Sequence, residues 1–433
     1  YNISPEMFVG VEHKAVGVEN FLEEKLNLKW AKDRNVTIAP NGAMFKRDKQ
    51  GFLPELMEKM YTERVVFKKK AIEAKKEYQK TKDPIYQNEI SRCHNIQMAK
   101  KISLNSAYGA IGNQYFRYFD VKQAEAITLG GQLSIRWVER DVNRFMNKLL
   151  GTDNKNYVVA SDTDSIYLKL DTLVEKVCKD KSTKQIVDFL NKAAEEKIQK
   201  VIDDSYQNLA NYVNAYQQKM IMKREAIANK GIWVAKKRYM MNVFDEEGVR
   251  YDIPKLKIMG VEAVKSSTPE VCRGKIKDAI RVIMNDSEDA LIKFVNDFKE
   301  VFKTLSPEEV AFPRSCNNVN RYVDSNSIYK KGTPIHVKGS LIYNHHINKH
   351  KLQRKYPLIK DGDKIKFLML RQPNTVKDTV ISFSTKIPYE FDLHKYVDYD
   401  TQFEKTFTDP LRFILDSIGW KLEREATLEA FFG

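Results

Sequence analysis

Two aspartates set two positions apart are the first residues in this sequence whose spacing suggests chemistry. Asp162 and Asp164 lie in a Ser-Asp-Thr-Asp-Ser run. In an extended strand, residues two apart point to the same face. Two carboxylates held so close repel each other unless a cation neutralises them, and Mg²⁺ prefers one or two carboxylates together with substrate phosphates. The alternative is an ordinary turn, which Asp favours for its local hydrogen bonds, and the run taken alone fits that alternative better.

Basic and amide side chains at helical spacing form a second candidate group. Lys101, Asn105 and Tyr108 follow one another at i, i+4 and i+7, which is one stripe of a helix. Arg64 and Lys68 are four positions apart in an earlier basic segment. If the two segments packed as antiparallel helices, three cations and an amide could converge on one anion. A nucleoside triphosphate is a natural ligand, because Arg offers a bidentate fork and Lys a point charge to phosphate oxygens. Two solvated basic faces are the alternative, and without further context they are the better interpretation.

An antiparallel helical hairpin is predicted to carry these basic residues. Residues 55–81 and about 86–108 both have helical patterns, and the Thr-Lys-Asp-Pro sequence at 81–84 is typical of a reversing turn. A long helix is predicted next, with Asp120 as its N-cap and Gln123 three residues on. Apolar and small residues at helical spacing predict its core-facing side: Val121, Ala124, Ile127, Gly131, Ile135, Val138, Val142, Phe145 and Leu149.

A β-hairpin is predicted around the acidic run, with strands at 157–160 and 166–170 and the aspartates at its tip. A new helix is predicted to start near Thr268, a candidate cap followed by Pro269, and a domain boundary is placed there. Between these features the pattern predicts a helical segment at 185–218 and strands at 220–228, 232–244 and 251–264, the last two joined by a turn at 245–248.

Composition limits the class of protein. The 433 residues, 42% of them hydrophobic, are enough for two or three domains with a sizeable core. A formal net charge of +15 favours a polyanionic partner. No apolar run approaches the roughly 18 residues needed to span a bilayer, which argues against a membrane protein or a membrane partner.

Cysteine and histidine patterns do not predict a metal centre. Cys93, Cys178, Cys272 and Cys316 are scattered without a Cys-x-x-Cys pair, so neither a disulfide framework nor a zinc site is indicated and a reducing compartment fits. A metal cluster is one interpretation of the histidines near 345–350, but the surrounding lysines and arginine favour a basic, DNA-facing loop. These histidines are His345, His346 and His350.

Four elements in order resemble family B DNA polymerases. The run from Lys101 to Gly109 resembles the family's motif B, K-x3-N-S-x-Y-G, and Asp162 to Ser165 resembles motif C, D-T-D-S. The Lys-Lys-Arg-Tyr run at 236–239 is similar to the element that follows motif C, and Arg64 with Lys68 matches the R-x3-K of the fingers helix. Further stretches are similar to T-even-type phage polymerases: 2–6, 224–228, 256–260 and 265–269.

The resemblance implies an α+β fold of palm, fingers and thumb, with an antiparallel palm sheet and helical-hairpin fingers. Residues 1–49 would be the first part of the palm, without the motif A strand, and 50–108 the fingers. Residues 109–266 would complete the palm, and 267–433 would form the thumb with a C-terminal clamp-binding tail.

Roles for individual residues also follow from the resemblance. Asp164 would bridge the metal ions, with Asp162 in support and Glu225 nearby as a third catalytic candidate. Two Mg²⁺ ions are implied, for which Mn²⁺ can substitute. The incoming dNTP would be held by Arg64, Lys68, Lys101 and Asn105, with Tyr108 beneath the nascent base pair.

Contacts with macromolecular partners are implied as well. Lys236, Lys237, Arg238 and Tyr239 would bind primer–template DNA. The tail residues Leu428, Phe431 and Phe432 resemble an apolar anchor for a sliding clamp. The implied function is template-directed DNA synthesis in phage replication, in the cytoplasm of a bacterial host.

Two departures from the family pattern modify this expectation. Ala160-Ser161 stands where the family has Tyr-Gly before the acidic pair. In the family, the motif A strand with another metal-binding Asp precedes the segment that matches 2–6, whereas this sequence starts at Tyr1. We therefore expect negligible polymerisation by this chain alone, with activity restored by a separate N-terminal subunit carrying motif A and an exonuclease, or by a longer parent chain.

Two alternatives stay open. A non-catalytic DNA- and clamp-binding module derived from a polymerase would not need the triphosphate-binding residues Lys101, Asn105 and Tyr108. A reverse transcriptase or RNA polymerase also uses an acidic hairpin, but it lacks the K-x3-N-S-x-Y-G helix.

Overall fold

Two compact units make up the structure, a computed structural model that describes residues 1–14, 16–325 and 327–422. One unit comprises residues 1–228 and 243–255, and the other comprises 229–242 and the chain from 256 onward. Helices are mixed with small antiparallel sheets, which confirms the predicted α+β class. Within the described residues, no helix is both long and apolar enough to cross a bilayer.

The first unit begins with a small antiparallel sheet. Strands β1 (Phe8–Val11), β2 (Val36–Ile38) and β3 (Ala43–Lys46) pair in the order β1-β3-β2. Helices α1 (Val18–Leu22) and α2 (Lys29–Asp33) lie in the connection between β1 and β2.

A helical hairpin follows, as the sequence predicts. It consists of α3 (Phe52–Thr81) and α4 (Pro84–Ile111). Lys82 ends α3 in the left-handed conformation, with φ 58°, and Asp83 caps α4 by accepting the Ile85 N–H at 2.9 Å. Left-handed C-caps and Asp N-caps satisfy the backbone groups that helix ends leave unpaired.

The long helix α5 (Val121–Leu150) is confirmed, and its predicted core face is partly wrong. Asp120 caps it through the Lys122 N–H at 2.8 Å. Val121 and Leu149 are exposed, whereas the buried face is built from small, polar and large residues in turn. The hydrophobic pattern alone therefore does not identify the buried face of this helix. Its members are Gln123, Ala126, Gly130, Leu133, Ser134, Trp137, Val138, Val142, Met146 and Leu150.

The acidic hairpin and a helical layer complete most of this unit. Strands β4 (Val158–Asp162) and β5 (Ser165–Leu168) pair antiparallel, and helices α6 (Asp171–Val177), α7 (Thr183–Ala193) and α8 (Gln199–Tyr212) follow. One π-helical turn joins α7 to α8, so the predicted helix at 185–218 is continuous but ends earlier, at Tyr212.

The predicted strands at 220–228 and 232–244 are wrong in their bounds. The chain forms β6 (Ala226–Ala235), β7 (Arg238–Glu246) and β8 (Val249–Met259), in the order β6-β7-β8. Strand β6 runs through Gly231, where a Cβ would lie 2.6 Å from the Trp233 ring, so this glycine leaves space for the indole rather than ending a strand. A turn at Lys236-Lys237 interrupts the predicted second strand, because Lys237 takes φ 61°.

The second unit contains two hydrophobic cores. Helix α9 begins one residue later than predicted, with Pro269 rather than Thr268 as its cap. Phe298, Phe302, Phe403 and Phe407 form the centre of one core, with the rings of Phe298 and Phe407 4.8 Å apart. The remaining elements are α9 (Glu270–Asn285), α10 (Glu288–Lys303), α11 (Pro307–Val310), β9 (Phe312–Cys316), α12 (Ile335–Lys349), β10 (Asp363–Met369), β11 (Val380–Phe383), α13 (Tyr399–Phe403) and α14 (Asp409–Leu415).

Candidate active site

Polar residues near the start of the chain hold the base of the α3–α4 hairpin. Asn2 Oδ1 accepts the Gly51 N–H at 2.9 Å, and Glu6 Oε1 accepts the Phe52 N–H at 2.7 Å. Ser4 Oγ donates to Glu6 Oε2 at 2.6 Å. Partial burial raises the pKa of Glu6, but the hydrogen bonds from Ser4 and Phe52 outweigh it and hold that pKa below its usual value. The stretch that resembles phage polymerases therefore serves as the N-terminal cap of α3.

Contacts across the hairpin place its two basic stripes at the same level. Lys100 Nζ pairs with Glu63 Oε2 at 2.5 Å, and Gln87 Nε2 donates to the Tyr78 hydroxyl at 2.7 Å. Arg64 follows Glu63 in α3, and Lys101 follows Lys100 in α4. Arg64 and Lys101 therefore lie at about the same height along the hairpin.

The predicted nucleotide-binding residues differ in how they are engaged. Lys101 and Asn105 are exposed, and across the described ranges neither makes an ion pair or a side-chain hydrogen bond. Arg64 is half-buried, and its Nε has no hydrogen-bond partner in the described part of the chain. Tyr108 is 43% exposed and lines a cavity of about 360 Å³. Lys101 and Asn105 thus carry exposed donors that an anion could use, whereas the Arg64 Nε is buried.

The cavity beside Tyr108 is mainly apolar. Its walls come from the base of the hairpin, through Leu53 and Met57 on α3 and Leu104 and Ala107 on α4. Apolar surface of this kind suits the flat face of a base or sugar better than a phosphate.

Lys68, one turn along α3 from Arg64, already has a carboxylate partner. Its Nζ forms an ion pair with Glu247, in the turn between β7 and β8. The Glu247 N–H donates to the Glu225 carbonyl at 2.6 Å. The structure thus brings two predicted site residues, Lys68 and Glu225, to the same turn, with the Glu225 side chain exposed.

A buried aspartate braces that turn. Asp245 is fully buried and pairs with Arg224 and with Arg250, whose Nε is 2.7 Å from Asp245 Oδ2. Asp245 Oδ1 also accepts the Gly248 N–H at 2.9 Å. Arg224 Nη2 donates to Asn191 Oδ1 at 2.6 Å, which extends the network to α7. Breaking a buried pair of this kind is costly because it leaves an uncompensated charge.

The acidic tip is a two-residue turn, shorter than predicted. Asp162 is the last residue of β4 and pairs with Ser165, so Thr163 and Asp164 form the turn. Thr163 has φ 57°, and the Asp164 N–H donates to the Asp162 carbonyl at 2.6 Å. The expectation that both aspartates share one strand face is therefore wrong, because strand alternation ends at Asp162.

Asp164 is exposed, and its charge is felt by one aromatic neighbour. Burial and the charge of Asp164 raise the pKa of Tyr206 on α8 to about 12.

Among the described residues, no hydrogen bond or ion pair joins Asp162 or Asp164 to α3 or α4, and neither aspartate lines the cavity beside Tyr108. The shared position of hairpin and acidic tip therefore stays a prediction. No group of three or more potential metal ligands is found in the described part of the chain.

The Lys-Lys-Arg-Tyr element lies across the β6–β7 turn. Lys236 and Lys237 are exposed at the turn itself. Arg238 pairs with Glu262 at 2.5 Å and lies over the Phe413 ring. Tyr239 is buried and stacks on Trp233, with ring centroids 6.1 Å apart. The side chains of Lys236 and Lys237 are exposed to solvent. Arg238 and Tyr239 already contact other parts of the protein, so DNA binding by these two residues would have to leave those contacts in place or replace them.

The remaining predictions fall in three places. Leu428, Phe431 and Phe432 lie outside the described residues. The histidine segment is the end of helix α12 and not a loop, with His346 buried against Phe391. Burial, followed by the charges of His345, Lys349 and His350, lowers the pKa of His346 to about 4. All four cysteines are free and buried.

Sequence reasoning missed Glu247 and Asp245 as parts of the site. The sequence pattern assigned both residues only to a turn. Three consecutive carboxylates at 245–247 are unusual in a chain of net charge +15, and they could have indicated a cluster that pairs with basic residues. Arg224 and Lys68 are distant along the sequence, so the pattern could not show which cations these carboxylates meet.

Comparison with known proteins gives one family. The sequence pattern of "DNA polymerase family B" matches residues 1–418. The chain is 32% identical to the DNA-directed DNA polymerase of Enterobacteria phage T4, over 91% of this chain and 50% of that protein. It is also 32% identical to the DNA-directed DNA polymerase of Escherichia phage RB69, over 100% of this chain and 53% of that protein. The chain therefore spans about half the length of these curated relatives.

A solved structure shows the same fold at lower identity. The family B DNA polymerase from the hyperthermophilic archaeon Pyrobaculum calidifontis superposes with a TM-score of 0.52 at 20% identity. The match covers 97% of this chain and 43% of that one.

Proposed function

Because the chain belongs to DNA polymerase family B and is of the T-even phage type, we propose that it is the catalytic half of a DNA-directed DNA polymerase. The reaction is template-directed addition of dNTPs to a primer 3′-hydroxyl, by in-line attack on the α-phosphate. The observation that supports this most is the α3–α4 hairpin, which carries Arg64 and Lys101 at one level on facing helices. A binding module without nucleotide chemistry would not need an exposed cation such as Lys101, unpaired among the described residues, at that place.

Substrate positioning is assigned to the hairpin. Arg64 and Lys101 bind phosphate oxygens, since charge-assisted hydrogen bonds to phosphate are short and strong. Asn105 lies one turn farther along α4, and Tyr108 follows at the mouth of the apolar cavity, where it contacts the nascent base pair. The reaction needs little side-chain proton chemistry, so positioning and charge are the chain's main contributions.

Metal binding is assigned to the acidic tip. Asp164 is exposed, and Asp162 adjoins it at the end of β4. Two carboxylates alone suit Mg²⁺ that also binds substrate phosphates, and they do not make a complete protein cage. Mg²⁺ bound there would neutralise charge on the entering and leaving oxygens. Glu225 is a further catalytic candidate, and its backbone carbonyl lies at the turn between β7 and β8.

The proposed domains follow the arrangement of the family. We assign residues 50–108 to the fingers, 1–49 and 109–266 to the palm, and 267–433 to the thumb. Primer–template DNA contacts Lys236 and Lys237 at their exposed turn, and a net charge of +15 supports such binding. The partner proposed for residues 428–432 is a sliding clamp.

A binding titration tests the nucleotide site directly. The chain and its Lys101→Ala variant are titrated with dATP and Mg²⁺ by isothermal calorimetry. Loss of one charge-assisted contact to phosphate is expected to weaken dATP binding about tenfold or more. Lys69→Ala is the matched control, because Lys69 is an exposed cation on α3 outside the predicted stripe. Equal dATP affinity in the chain and in Lys101→Ala would contradict the proposal.

A further inference from the structure

We propose that Glu247 is an internal competitor of the incoming nucleotide, holding Lys68 until a triphosphate displaces its carboxylate. This inference rests on the proposed function, since it takes Lys68 as part of the triphosphate site. Glu247 does not touch the reacting atoms, and it acts through Lys68. It is therefore a positioning residue that tunes nucleotide affinity.

The ion pair occupies a cation that the substrate needs. Lys68 and Glu247 are paired with side chains 42% and 27% exposed, so the pair is open to solvent on one side. Arg64, the other predicted phosphate ligand on α3, lies one turn away on the same helix and is half-buried. An anion that binds Arg64 and reaches toward Lys68 meets the Glu247 carboxylate first. The Lys68 ammonium pairs with either the carboxylate or a phosphate oxygen, so the triphosphate gains this contact only by displacing Glu247.

The backbone of the turn places Glu247 in a conformation that is unusual for its residue type. Glu247 has φ 53° and Gly248 has φ 82°, which is the positive-φ pair of a type I′ hairpin turn. Asn, Asp or Gly is the usual residue at the first of these positions, because other side chains are strained there. A strained residue that persists at a site is a reason to look for a role of its side chain.

Two contacts fix the direction in which this turn faces. Buried Asp245, paired with Arg224 and Arg250, accepts the Gly248 N–H at 2.9 Å. On the other side, a Cβ at Gly248 would lie 3.2 Å from Lys76 Nζ, so the turn rests against α3. The carboxylate of Glu247 is thus presented to the hairpin by a braced turn.

The competition predicts selectivity for the length of the phosphate chain. A half-exposed ion pair is weak, so its opening reduces triphosphate affinity only modestly. We expect Glu247→Gln to bind dATP about two- to fivefold more tightly than the unmodified chain. A monophosphate reaches Arg64 or Lys101 without displacing Glu247, so its affinity is expected to stay the same.

The test is a double-mutant cycle on nucleotide binding. The chain, Glu247→Gln, Lys68→Met and the double variant are each titrated with dATP·Mg²⁺ and with dAMP. Glu246→Gln is the matched control, because that neighbouring carboxylate pairs with Lys255 at 2.6 Å. The expected result is tighter dATP binding in Glu247→Gln, no such gain in the Lys68→Met background, and no change with dAMP or in the control.

Other outcomes separate this inference from the proposed function. Unchanged dATP affinity in Glu247→Gln, with weaker binding in Lys68→Met, would overturn the competition and leave the nucleotide site standing. A gain that persists without Lys68 would also overturn it, because the effect would then be general charge removal. Absence of dATP binding in every variant would remove the proposed function, and this inference with it.

Discussion

Two lysines on the facing helices of the hairpin are in different electrostatic situations. Lys101 is exposed and, as far as the described residues show, has no ion-pair partner, whereas Lys68 is held by Glu247. The family resemblance implies that both lysines bind phosphate, and their spacing gives no sign of the difference. Such a pairing depends on the fold, because Glu247 belongs to a hairpin far along the chain.

A glycine in the family-like run at 256–260 has a steric reason that the sequence does not reveal. Gly260 has φ 66°, and a Cβ there would lie 2.1 Å from the Lys237 carbonyl oxygen. This close approach places the exposed Lys236-Lys237 turn against the end of β8. The Lys236-Lys237 turn, which is predicted to bind DNA, therefore packs against a position where only glycine fits.

Gly260→Ala is expected to lower the free energy of unfolding by about 1–3 kcal/mol, because the added methyl group must displace backbone in a left-handed conformation. Urea denaturation followed by circular dichroism measures the free energy of unfolding of the variant and of the unmodified chain. Gly274→Ala in α9 is the control, since a Cβ there meets nothing within 4 Å, and it is expected to be neutral or slightly stabilising. Equal loss in both variants would show that the contact with Lys237 is unimportant.

Helices were predicted from sequence far better than strands. The α3–α4 hairpin and α5 have strong local signals, namely the Asp83 and Asp120 caps and long helical patterns. Strands β6 and β7 do not, because Gly231 lies inside a strand under Trp233 and two lysines form a turn. These features are set by tertiary contacts, which override local propensity.

The same limit applies to the acidic tip. Its two-strand arrangement followed from alternation and turn residues, and the same-face position of Asp162 and Asp164 did not survive the left-handed Thr163. A sequence pattern does not predict a single backbone angle in a turn, such as the φ of Thr163.

The cap at the base of α3 predicts a pH-dependent element. The pKa of Glu6 is lowered in the folded chain, so its contribution is present above the unfolded value of about 4.5 and is lost as the pH falls through the folded value. Glu6→Gln is expected to cost a few tenths to about 1 kcal/mol near pH 7 and much less near pH 3, since the side chain is largely solvent-exposed.

Amide hydrogen exchange of the first turn of α3 at both pH values measures that effect. Glu55→Gln is the control, because Glu55 lies in the same turn and caps no backbone N–H within the described contacts. Faster exchange in Glu6→Gln at pH 7 alone is the predicted result. A difference of the same size at pH 3 would contradict the role of the Glu6 charge.

At the scale of the whole molecule, the chain is two compact units spanning about half the length of its curated relatives. Family membership follows from residues across the full match, from 1 to 418. The residues proposed to contact a sliding clamp, 428–432, lie beyond that match.

Removal of residues 427–433 tests the proposed clamp contact. Assayed together with the N-terminal polymerase part, the chain without residues 427–433 is expected to show lower processivity in the presence of a sliding clamp, because the apolar anchor of Leu428, Phe431 and Phe432 is lost. Distributive synthesis without the clamp is expected to be unchanged. Primer extension under single-encounter conditions compares the two proteins, and equal processivity with the clamp would remove the tail from the proposal.

The central claim is that the basic hairpin and the acidic tip act on one nucleotide. Anomalous diffraction from crystals of the chain with dATP and Mn²⁺ tests it most directly, because manganese marks the metal and the nucleotide is visible in the same map. We predict a manganese peak in contact with Asp164 and with the triphosphate, whose other oxygens contact Arg64 and Lys101. A triphosphate bound on the hairpin with manganese away from Asp164, or Lys101 and Asp164 facing separate cavities, would contradict the account.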